Sequence, residues 1–233
     1  MSADTNPPST QPTGPADDAG RWKKAASEFS HATAQSTRVA VGNTLAAFRL
    51  LMWNPAGNLS AAFDKLGPQK SMQAGIVCAV AYALARLLAQ LIRGGFAGES
   101  LIRAQYVLSG RGLRADLAAV VCGLAVALCL ITASFVARLG LRGKGRVASD
   151  VFLAGVALAP VTLAILLATI FGPRNDTIQA VVMTFGDCLL IVILFHGLVD
   201  LCHVGRGLAL YAVPAALLFA GFVSGVVGRA FAG

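Results

Sequence analysis

Val151 to Phe171 (VFLAGVALAPVTLAILLATIF) runs for twenty-one residues without a charge, and its only side-chain hydroxyls are Thr162 and Thr169. At about 1.5 Å per residue, such a helix crosses the ~30 Å hydrocarbon layer of a bilayer. Ser149 and Asp150 precede it as N-cap candidates, and Gly172-Pro173 ends it. A basic loop lies before it and a polar PRND turn after it. The stretch reads as a transmembrane helix, which excludes most soluble folds for the chain around it.

Composition agrees. Hydrophobic residues make up 56% of the chain and charged residues 13%, as suits an integral membrane protein. The net charge of +8 would point to nucleic acid in a soluble chain. Here the basic residues gather in the N-terminal region and at span ends, where lipid headgroups and the positive-inside effect account for them. No nucleic-acid partner is expected. All five cysteines (Cys78, Cys122, Cys129, Cys188, Cys202) fall in hydrophobic segments without a CxxC pair. They read as small apolar residues, not as a zinc or redox motif.

Taken in order, residues 1–20 are rich in Pro, Ser, Thr and Gly and predict a disordered tail without a signal-peptide h-region. Residues 21–72 predict cytosolic or interfacial amphipathic helices. The first, from Arg21 to Met52, reads either as a basic helix on the membrane surface or as a helix packed on the bundle. Asn54-Pro55 breaks it, and Leu59, Phe63 and Leu66 then mark one face of a short helix that Gly67-Pro68 closes. Residues 73–233 predict a five-span domain. Its spans are Gly75–Ile92, Leu117–Val136, Val151–Phe171, Ile178–Leu201 and Leu208–Val227. The segment 94–116 is too charged to cross and suits a second interfacial helix or a partly buried loop. The fold class is therefore all-α, a polytopic membrane protein with N-terminal amphipathic helices.

Five spans put the two ends on opposite sides. With the N-terminus inside, twelve Lys and Arg lie on the inner side and six on the outer, Arg86 being within a span. The basic loop Arg138–Arg146 points the same way. The orientation expected is N-terminus in the cytoplasm and C-terminus outside.

WNPAGNLSAAFDKLG before the first span and SDVFLAGVALAP at the start of the third resemble bacterial members of the Ypt-interacting-protein (YIP) domain family. The likeness extends in span order over roughly residues 50–230. It implies a five-span protein of a bacterial inner membrane with a cytosolic N-terminus, an architecture and not an activity. An N-terminal zinc ribbon, frequent in related bacterial chains, has no counterpart here, since no cysteine precedes Cys78. Eukaryotic relatives are associated with Rab-type GTPases and trafficking, but nothing in these two stretches specifies such a partner.

Three sets of residues are candidates for function. His196, Asp200 and His203 (HGLVDLCH) fall four and three apart, which on one helix face would suit a divalent metal or a proton relay. Their place at the end of the fourth span favours plain interfacial polarity, and no metal or other cofactor is expected. Arg86 and Asp187 are ionisable residues inside spans, and a structural ion pair between them is the preferred reading, with snorkelling of Arg86 as its competitor. Gly221, Gly225 and Gly228, with Ser224, mark a small-residue face for close helix packing. GFVSG is one residue out of register for an intramembrane serine protease, and no histidine follows it. Pro160 and Pro214 predict kinks. These features lead to a non-enzymatic membrane protein acting through the bilayer, a protein partner or self-association. The competing expectation is a small transporter or channel using Arg86, Asp187 and the His196–His203 face.

Overall fold

The computed structural model describes residues 42, 57–96, 111–141, 143–171 and 175–232. The expectations for 1–20, for most of 21–52 and for the middle of 94–116 lie outside these. The described residues build five helices: α1 (Leu59–Phe96), α2 (Arg111–Gly140), α3 (Val147–Phe171), α4 (Asp176–Asp200) and α5 (Arg206–Ala232). All five are long and apolar enough to cross a membrane. They match the five predicted spans, as befits an integral membrane protein. Helices α1 and α2 run a turn or more beyond both predicted ends and α5 beyond its C-terminal one, while α3 starts a turn earlier and α4 lies within two residues at each end.

Helix α3 sits at the centre. Of its most apolar stretch 56% is buried, against 11% for α5. It packs mainly on α1 and α4, while α2 joins α1 to α5. Backbone contact sets the α1–α3 crossing. A Cβ on Gly155 would overlap the Gly75 backbone, and one on Gly75 would overlap the backbone at Val151 and Phe152. Gly123 of α2 also lies tight against Ala83 of α1, though less so. Gly186 and Gly197 of α4 leave room for Ala164 and Leu153 of α3. Small residues thus bring helices together where lipid supplies no hydrophobic drive for association.

The first turns of α1 correct one expectation. Gly67 (φ 74°) with Pro68 bends the helix where a stop was predicted, but helical structure resumes at once. The face carrying Leu59 and Phe63 turns towards protein. Leu59 and Ala62 are fully buried, and the Phe63 ring meets Phe152 of α3 at 5.7 Å. Pro160 and Pro214 lie inside helices that run on past them. On α5 the outward side chains are large and apolar, with Tyr211, Leu218 and Phe222 more than two-thirds exposed, as suits a lipid-facing surface.

Candidate functional site

Two polar cavities open among the described residues, one at an end of the bundle and one reaching its mid-depth at Asp187. One occupies the end where α1 starts, α2 ends and α4 gives way to α5. It measures about 480 Å³ and is walled by Ser60, Asp64, Lys144, Arg146, Asp200 and His203 among others. The other, about 380 Å³, lies towards the end of α1 and the start of α4, with Arg86 and Gln90 on α1 and Gln179 and Asp187 on α4. Between them the described side chains are apolar. Ala74, Leu130, Phe152, Leu153, Ala157, Leu158, Leu190, Ile193 and Leu194 are all buried there, around the Gly75–Gly155 crossing.

Beside the first cavity is a buried ion pair. Arg138, in the last turn of α2, grips Asp150, in the first turn of α3. Its Nε donates to Oδ1 and Oδ2 at 3.2 and 3.0 Å, and its Nη2 donates to Oδ2 at 2.8 Å. Nη1 donates to the Gly145 carbonyl at 2.9 Å, and the guanidinium lies 5.2 Å from the centre of the Phe135 ring. Asp150 is wholly buried and Arg138 almost so. The Cys202 thiol, in the turn after α4, donates to Asp150 Oδ1 at 3.5 Å. Burial, and then the neighbouring carboxylate, push that thiol from its ordinary 9.0 up to about 12. It therefore stays a neutral donor and no nucleophile. Gly143 and Gly145 allow this closeness, because a Cβ on either would strike Cys202, Arg138 or Leu201. The cluster ties the ends of α2, α3 and α4 together.

In the sequence Asp150 reads as a helix cap and Arg138 as a loop charge, and neither points to the other. A signal is present, since charges of opposite sign flank a turn of suitable length. Nothing local distinguishes a pair buried across such a turn from two separately solvated charges.

The predicted sites fare unevenly. Arg86 and Asp187 do face the same cavity, but among the described residues they form no ion pair within 4.0 Å. Arg86 instead donates through Nη1 to the Tyr82 hydroxyl at 3.3 Å. His196 Nδ1 stands 3.8 Å from Asp200 Oδ2, with both side chains well exposed. α4 ends at Asp200, however, and His203 lies beyond it with φ 51°. The helical spacing that would have aligned the three is thus broken, and no group of three metal-ligating side chains converges among the described residues. A Cβ on Gly221, Gly225 or Gly228 would meet open space among the described residues. Close packing is the work of Gly75, Gly123 and Gly155 instead.

The chain matches no family model, no curated protein and no solved structure.

Proposed function

We propose that this is a YIP-like integral membrane protein of a bacterial inner membrane, with a non-enzymatic role in membrane organisation. Its N-terminus lies in the cytoplasm and its C-terminal end outside, in keeping with the basic residues of the α2–α3 loop. It acts through lipid, a protein partner or a second copy, not through turnover. The YIP likeness rests on two stretches, WNPAGNLSAAFDKLG and SDVFLAGVALAP.

The apolar layer carries this reading. Some nine buried apolar side chains and a backbone-to-backbone helix crossing separate the two polar cavities. A transporter needs those cavities to communicate in at least one state, and interlocked helix backbones resist such opening. The transport reading retains one point in its favour, the grouping of Arg86, Gln90, Gln179 and Asp187 in a single cavity.

Accessibility of the layer separates the two. With the five native cysteines replaced by alanine, Ala157→Cys is treated in proteoliposomes with a membrane-impermeant thiol reagent from each side. Protection from both sides agrees with a closed bundle. Labelling from either side, in particular labelling that a solute alters, would favour transport.

A further inference from the structure

We propose that the cavity between Arg86 and Asp187 binds a small zwitterion, one bearing a primary ammonium together with a phosphate or carboxylate.

Depth makes these two residues unusual. Asp187 is eleven residues into α4, which is roughly 16 Å along the helix and near the middle of a bilayer. A carboxylate at that depth is costly unless a counter-charge or water meets it. The nearest solution would be Arg86 across the cavity, yet the two remain unpaired. Among the described residues Asp187 makes no ion pair and no hydrogen bond. Arg86 gives one N–H to Tyr82, and the Tyr82 ring centre lies 5.9 Å from the guanidinium carbon. A guanidinium has five N–H donors, so a single contact fixes its direction and leaves most of its donors for an anion.

The cavity thus presents a held cation on α1 and a bare anion on α4, with amides from Gln90 and Gln179 in the same wall. Val161, Ile165 and Met183 supply an apolar lining for a short carbon skeleton. About 380 Å³ is at the small end of ligand sites. It accommodates a headgroup or an amino acid with some water. An anion alone would leave Asp187 unmet, and a cation alone would leave Arg86 unmet. Only a molecule with both charges answers the two walls at once. Because Asp187 is an acceptor, the cationic end should carry N–H donors, which favours ammonium over trimethylammonium.

The ligand could be a lipid headgroup entering from the bilayer or a free zwitterion entering from water. Binding requires no passage through the apolar layer, so the proposal stands apart from the non-transporting reading. The full chain, purified in maltoside, is titrated with dihexanoylphosphatidylethanolamine, with O-phosphoethanolamine and with alanine, and binding is followed by native mass spectrometry and thermal shift. Dihexanoylphosphatidylcholine is the matched probe without N–H donors. Saturable binding of at least one ammonium probe is expected, with the choline lipid weaker by roughly ten-fold. Arg86→Gln and Asp187→Asn should each weaken binding by roughly ten-fold or more. Ala119→Phe, which keeps both charges and fills the cavity, should abolish it. Binding confined to the lipid assigns the site to a headgroup, and binding of the soluble probes assigns it to a free zwitterion. Failure of all three ammonium probes to saturate would overturn the proposal. So would equal binding of the choline lipid, or binding unchanged in the charge variants. Should those variants not fold, the ethanolamine–choline comparison on the unaltered protein decides.

Discussion

Arg138 closes on Asp150 through Nε and Nη2 across a turn of the chain, with the carboxylate shut off from solvent and the guanidinium nearly so. Two elements that each end in a charge are thereby locked at a fixed angle.

Removing one partner leaves the other charged, buried and unmet. Asp150→Asn or Arg138→Gln should therefore lower stability by about 3–5 kcal/mol, while the apolar pair Arg138→Met with Asp150→Leu should recover most of the loss. Denaturant unfolding of the detergent-purified protein measures all three. Single variants as stable as the parent would mean that the pair is solvated.

The glycines divide into two classes with opposite responses. Gly155→Ala forces a methyl group into the Gly75 backbone, and such overpacking should cost about 1–3 kcal/mol. Gly225→Ala meets open space and should be neutral or stabilising by up to about 1 kcal/mol, since alanine is the better helix former. Thermal melts of the two variants side by side check the contrast. The reverse ranking would place the tight crossing on α5.

Cys202 makes stability sensitive to alkali. Its folded pKa is raised, from 9.0 to about 12, so its contribution is complete below pH 9 and is lost as pH rises from 9 towards 12. In that window the unfolded thiol ionises while the folded one cannot. By pH 10.5 the parent should have lost about 2 kcal/mol through this group. Cys202→Ala should lack that component. The difference between parent and variant melts at pH 8 and pH 10.5 isolates it from lysine and tyrosine titration, and an unchanged difference would mean the thiol is reachable by water.

The spans are readable in the sequence because hydrocarbon solvation acts on composition and length alone. Val151–Phe171 needs no partner to be recognised, and its central place follows from its being apolar on every side. Pair and packing information has no such local mark. Asp150 and Arg138 each look like an ordinary helix-end charge until the fold brings them together. Gly75 and Gly155 carry no motif that outranks Gly221 and Gly225, yet only the first two touch across an interface. His203 misleads for a related reason. Its spacing from His196 is helical only if the helix continues, and the chain turns at Leu201.

The proposed topology has all five helices crossing a bilayer, with the α2–α3 segment on the cytoplasmic side. Lys144 in that segment and Asn175 at the start of α4 are both exposed and lie at opposite ends of α3. Single cysteines at these positions, in the cysteine-free background, are labelled with an impermeant maleimide in sealed right-side-out vesicles. Asn175→Cys should react at once, and Lys144→Cys only after the vesicles are opened. Equal reaction of both from outside would contradict a crossing by α3, and with it the five-span fold.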